Sequence, residues 1–258
     1  MNAHRLPARH GALWLLRGWR LLRRQPRPMI SVTLAYFSLA MLINLIPFVG
    51  IFLLPLAIPL LTALLGNAYR ALDRDQQLAP ELLLAGLREQ RANLLKLGGL
   101  HLLGSLLLFG ISFLLLGANP KQPATAEQSI AFLESMLVFV LCATPLLMAF
   151  WFAPLLTAWA GLPAVKSLFF SLVACWRNWR AFSIYGLAII AIGMLLGLLL
   201  GALLALAAMI SATLMQIVSF IPPVLLMLLL GPVLTSGIYI SYSDVFDTAE
   251  PIVETPDA

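Results

Sequence analysis

Arg17, Arg20, Arg24 and Arg27 recur at intervals of three, four and three residues, so on a helix they share one face. Arg177 and Arg180 repeat the three-residue interval beside Trp176 and Trp179. The first set is flanked by Leu13, Trp14, Leu15, Trp19, Leu21 and Leu22. Guanidinium groups beside a Trp/Leu surface suit anion binding by a helix that lies among lipid headgroups. Each basic residue near an anionic leaflet gains about 1 kcal/mol. Two uses are open for these six arginines: anchoring the chain, and recognising the headgroup of a particular anionic lipid.

A second set is built on proline and threonine. The phrase "PLLTA" occurs at Pro59–Ala63 and again at Pro154–Ala158, with a near-copy, "PVLTS", at Pro232–Ser236. Proline inside a helix removes a backbone donor and clashes with the preceding turn, which kinks the helix and frees a carbonyl. A threonine hydroxyl can return a hydrogen bond to the preceding turn, and the small residue after it permits close helix approach. Pro59, Thr62, Pro154, Thr157, Pro232 and Thr235 therefore either shape a bundle or converge to line a cavity or lateral groove. A third set, Gly193, Gly197 and Gly201 followed by Ala205, forms a small-residue ridge at helical spacing. Such a ridge brings helices close in a membrane, either within the chain or between two copies, with the former expected.

Groups able to do covalent or redox chemistry are sparse. His4, His10 and His101 and the cysteines Cys142 and Cys175 show no metal-ligand spacing. Both cysteines read as small packing residues, and His101 as a hydrogen-bonded histidine near an interface. No HExxH, nucleophile elbow, Walker loop or dinucleotide fingerprint occurs. No set of acids and lysines lies at mid-membrane, where an ionisable residue would mark function. The expectation is a protein that is not an enzyme, with no cofactor, no metal and no nucleic-acid partner. Its expected partners are membrane lipids, chiefly anionic, and a membrane protein.

The elements that must position these residues are membrane spans. Hydrophobic residues are 61% of the 258 and charged residues 10%, against about half and about a quarter in soluble domains. Runs of about 20 apolar residues cross a bilayer as helices. Six are legible: Met29–Phe48, Ile51–Ala71, Leu94–Leu116, Phe132–Ala160, Phe182–Met209 and Leu214–Tyr242. With six spans, fifteen of the sixteen Lys and Arg fall on one side, Lys121 alone on the other. Lys and Arg stay cytoplasmic, so both termini are expected in the cytoplasm. The N-terminal arginines continue through the first apolar patch, unlike a cleaved signal.

The phrases lie in the even-numbered spans. The odd spans follow "GWRLLRRQ" (Gly18–Gln25), "GLREQRAN" (Gly86–Asn93) and "SLVACWRN" (Ser171–Asn178). The predicted unit is an amphipathic interfacial helix, a span, a turn and a kinked span. It repeats over about 11–73, 80–163 and 164–243. Gly66 and Gly161 match between repeats, as do Tyr69 and Tyr242. The fold class is all-α, one six-span domain over 1–243 in three hairpins. An acidic tail, 244–258, is expected to be disordered.

The block "FWFAPLLTAWAGLPAVKSLFFSLVACWRNWRAF", Phe150–Phe182, resembles uncharacterised six-span inner-membrane proteins of Gram-negative bacteria. More distantly it resembles the membrane domain joined to some glycerophosphoryl diester phosphodiesterases. The aromatic-Ala-Pro kink, the Gly-Leu-Pro turn and the Arg-Asn-Trp entry carry the likeness, and "GWRLLRRQP" (Gly18–Pro26) fits it. The resemblance implies a bacterial inner membrane and supplies no catalytic residues. A structural or accessory role is expected, with a lipid-binding or lipid-translocating bundle as the alternative.

Overall fold

The computed structural model describes residues 3–116 and 126–246. Among these, every regular element is an α-helix: α1 (His10–Arg24), α2 (Pro26–Asn44), α3 (Gly50–Asp73), α4 (Pro80–Leu83), α5 (Arg91–Leu116), α6 (Ala126–Trp151), α7 (Ala153–Ala160), α8 (Ala164–Arg177), α9 (Trp179–Ile210) and α10 (Ala212–Phe246). Six stretches are long and apolar enough to cross a membrane, the fourth being α6 and α7 in series. The chain is an all-α polytopic membrane protein, as its apolar runs predict.

Two details differ from the sequence pattern. Before the third span no amphipathic helix of any length forms. α4 is one turn, and residues 84–90 turn directly into α5. "GLREQRAN" has too few apolar side chains to bury a helical face, and only Leu87 and nearby Leu94 sink into the core. At the other end of the chain, the helix does not stop at Tyr242. α10 continues through Asp244 to Phe246, and the rest of the expected tail, 247–258, lies outside the described residues.

The helices group into two compact units. One comprises the described parts of 1–33 and 177–258. Here α1 packs against both α9 and α10. Trp14 is fully buried, with its ring 5.1 Å from Phe182 and 5.8 Å from Tyr185. Gly11 lies against the backbone of Ala181 and Tyr185. A Cβ at Gly18 would stand 2.8 Å from the Ser236 hydroxyl and 2.9 Å from the Val233 carbonyl. The chain before α1 is pinned as well. Leu6 N–H donates to Asn178 Oδ1 at 2.8 Å, Asn178 Nδ2 donates to the His4 carbonyl at 2.9 Å, and His4 N–H donates to the Val245 carbonyl at 2.9 Å. α1 is thus a packed part of the fold on one side. Leu16 and Trp19 stay exposed with Arg20, Arg23 and Arg24.

The other unit, Leu34–Trp176, is organised by what prolines do to backbone carbonyls. Pro59 lies inside α3 and has no N–H to give the carbonyl of Pro55, four residues earlier. His101 of α5 supplies the missing donor, its Nδ1–H reaching the Pro55 carbonyl at 2.9 Å. Gly98, three residues before it, lets α5 touch the Leu56 carbonyl. In the fourth span the helix breaks instead, between Trp151 and Ala153, just ahead of Pro154. The Ser171 hydroxyl of α8 enters the gap. It accepts from Phe152 N–H at 2.9 Å and donates to the Met148 carbonyl at 2.7 Å, replacing one rung of the ladder.

These two side chains satisfy backbone groups that have no water to turn to. Removing either partner leaves a buried polar group unpaired, at a cost of about 1–3 kcal/mol. His101→Leu and Ser171→Ala are each expected to lose stability on that scale in detergent thermal melts, whereas Leu103→Ala on the exposed side of α5 should change little.

Candidate functional site

Five of the six Pro/Thr phrase residues, Pro59, Thr62, Pro154, Thr157 and Pro232, are buried, and Thr235 is half-buried. Thr62 shares a side-chain hydrogen bond with Tyr36. Thr157 donates to the Ser167 hydroxyl at 2.8 Å, and Thr235 makes the expected bond to its preceding turn, 2.7 Å from the Gly231 carbonyl. The small residues after them, Ala63, Ala158 and Ser236, are buried too. These phrases hold helices together, and none of the six residues lines the cavity described below. The paired glycines are not equivalent: Gly66 packs inside α3 against Leu155, whereas Gly161 ends α7 at φ 65°. Tyr69 and Tyr242 are both buried.

The six arginines divide. Arg20, Arg24, Arg27, Arg177 and Arg180 are exposed, and the Arg180 guanidinium lies 5.6 Å from the Trp179 ring. Arg17 instead pairs with Asp244 of α10. The same carboxylate accepts from Trp14 Nε1 at 2.9 Å and meets His10 Nδ1 at 3.2 Å. His10, Trp14 and Arg17 are spaced four and three residues apart, so three N–H donors form one stripe of α1. That stripe was the signal for a carboxylate partner, and a sequence reading that counted Asp244 as tail misses it.

A second feature that the sequence pattern missed is a cavity of about 420 Å³ at the charged end of α3. Its walls include Arg70 and Arg74, one helical turn apart, with Gln76, Gly86 and Trp159. Asn67 organises them. Its Nδ2 donates to the carbonyls of Leu83 and Ala85 at 2.8 and 2.9 Å, and its Oδ1 accepts from Trp159 Nε1 at 2.6 Å. The Arg70 guanidinium stacks 4.8 Å from the Trp159 ring centroid. Gly86 sits at φ 74° against the Ala158 carbonyl, a place with neither the backbone freedom nor the room for a side chain.

Within the unit of α1, α9 and α10 the glycine ridge is open: a Cβ added at Gly193, Gly197 or Gly201 would meet no described atom of that unit within 4 Å, and Leu195, Leu198 and Leu199 beside them are exposed. The close contacts of α9 lie instead near its start, at Ala181 and Tyr185. Cys142 is exposed rather than packed, whereas Cys175 is buried. Burial pushes the Cys175 thiol up from its ordinary pKa, and a hydrogen bond with Ser171 pulls the other way. Among the described residues, no three His, Cys, Asp or Glu side chains converge as a metal site would need.

The chain is similar to a probable inner membrane protein of Burkholderia thailandensis, 34% identical over 209 residues, which cover 75% of this chain and 77% of the relative. No family model matches. No solved structure matches. Nothing in these comparisons bears on the membrane domain of the phosphodiesterases.

Two outcomes follow from the packed N-terminal helix and the buried thiol. Asp244→Ala removes the acceptor shared by Trp14, Arg17 and His10, so α1 should loosen. Trypsin cleavage at Arg17–Arg24 in intact protein is expected to speed at least about tenfold, with the loss of a partly buried acceptor costing about 1–3 kcal/mol. In a Cys142→Ser background, iodoacetamide should label Cys175 slowly at pH 8, because a raised pKa leaves little thiolate. Denaturation returns the thiol to about pKa 8.5 and should restore fast labelling.

Proposed function

We propose, from the premise that the chain belongs to the same family as the Burkholderia thailandensis inner membrane protein, that it is an accessory protein of the bacterial inner membrane. It is multi-pass, non-enzymatic and works by holding another membrane protein. Both termini face the cytoplasm, which the one-sided distribution of Lys and Arg supports.

One observation carries the accessory role: the unpacked glycine ridge of α9. Gly193, Gly197 and Gly201 leave a smooth track, flanked by exposed Leu195, Leu198 and Leu199. In a bilayer such a track gives no gain against lipid, whose tails are as apolar as leucine. It gives close backbone packing against another helix. Polar side chains inside the spans support the same role: His101, Thr157 and Thr235 are each engaged by a backbone carbonyl or a neighbouring hydroxyl. Because the phrase prolines and threonines are packed between helices, the geometry favours this role over a lipid groove at the kinks.

A photo-cross-linking residue at Leu198, in cells at native expression, is expected to capture one dominant membrane protein. Gly197→Leu, which fills the track, should reduce that adduct at least about tenfold while the protein stays in the membrane. Adducts to lipid alone, or an adduct indifferent to Gly197→Leu, would sink the proposal.

A further inference from the structure

The cavity at the end of α3 has no part in helix docking along α9, and its composition is not that of a packing defect. We infer that it is a binding site for a phosphate group, with the guanidinium groups of Arg70 and Arg74 as donors and Trp159 as the plate that orients Arg70.

The site is built without an occupant. Asn67, 5% exposed, uses its amide nitrogen and its oxygen to tie the 83–85 turn and the Trp159 indole to α3. Gly86 brings the next turn of chain against the Ala158 carbonyl. The walls are therefore held by buried hydrogen bonds and tight packing. A volume of about 420 Å³ exceeds a phosphate and suits a small headgroup or phosphoester; ligand pockets run at about 300–1,000 Å³.

Its charge is one-sided. Arg70 and Arg74 line it, and neither Asp73 nor Asp75 does. Among the described residues, no carboxylate or carbonyl engages the guanidinium of Arg70 or Arg74. Stacking on an indole holds a guanidinium by its face and leaves its N–H edge to donate. Two such edges one turn apart match the oxygens of a phosphate, the geometry in which arginine surpasses lysine.

A helix C-terminus ordinarily repels an anion through its bare carbonyls. Here the carbonyls of Ala71 and Leu72 are occupied. Gln76 N–H donates to the Ala71 carbonyl at 2.9 Å and Asp75 N–H to the Leu72 carbonyl at 3.1 Å, with Asp75 at φ 54°, so a Schellman turn closes the end of α3. The turn also brings Gln76 into the wall, where its amide adds an uncharged donor. The site lies where an apolar span gives way to charged chain. The phosphate thus comes either from an anionic lipid headgroup or from a soluble phosphate compound, and recognition is the same for both.

Native mass spectrometry of the full-length protein, with short-chain phosphatidic acid and with inorganic phosphate, separates these sources. The wild type is expected to bind phosphatidic acid. Arg70→Gln/Arg74→Gln should weaken it at least tenfold, while variants of the surface arginines Arg20 and Arg177 leave it within about twofold. Ala85→Glu keeps both arginines and the backbone that Asn67 holds but adds a negative charge to the wall, and should weaken binding as much. It serves as the reporter should the double variant fail to fold. Competition by inorganic phosphate assigns the site to a soluble compound, and indifference assigns it to lipid; both support a phosphate site. Binding that is absent in the wild type, or equal in the wild type and Ala85→Glu, overturns it.

Discussion

A carbonyl set free by proline in a hydrocarbon environment has no solvent to bond, and the polar contacts between α3 and α5 and between α8 and the fourth span answer that constraint. Pro59 leaves the Pro55 carbonyl open, and a histidine on the neighbouring helix α5 closes it. Ahead of Pro154 the helix breaks, and a serine from α8 spans the gap. After Pro232 the Thr235 hydroxyl bonds back to the Gly231 carbonyl, a local bond separate from the Leu228 carbonyl that the proline leaves without its ladder donor. One sequence phrase thus meets two solutions to a broken ladder: a partner helix and an inserted hydroxyl. Both are also tertiary contacts. They fix which residue of α5 faces α3 and which residue of α8 faces the broken span, so packing follows from backbone satisfaction as much as from apolar area.

At the other unit the governing group is a carboxylate. Asp244 collects three donors from a single stripe of α1, and Trp14 between them is buried against Phe182 and Tyr185. An indole with its N–H satisfied can be buried at little cost, whereas one without an acceptor cannot. This explains why a helix with the composition of a surface anchor is folded in on one side and open on the other. Arg17 serves the fold, while Arg20 and Arg24, three and seven residues on, remain at the surface.

The two surfaces with room for partners differ in kind. The ridge on α9 is apolar, without side chains, and suits a helix. The cavity at the end of α3 is small, basic and held by buried hydrogen bonds. Neither uses the prolines, because a proline kink must be packed to be tolerated, and packing leaves no space for a ligand. The proposed accessory role and the proposed phosphate site each require binding and no chemistry at the prolines.

The number and placement of the spans were legible in the sequence, because a helix that crosses a bilayer must be about 20 apolar residues long whatever it packs against. The proline–threonine phrases were legible for the same reason: a missing donor is a property of the residue itself. What the sequence could not contain was the partner of each group. His101 looked like an interfacial histidine, Asp244 like the start of a tail, and the α9 glycines like an internal seam. "GLREQRAN" looked like a third interfacial helix, although its apolar residues are too few to bury a face. His101 and Asp244 were each decided by which residue, tens to hundreds of positions away, came within about 3 Å. Hydrogen bonds and ring contacts act only at that range, so the chain determined which groups needed partners and only the tertiary structure determined which partners they found.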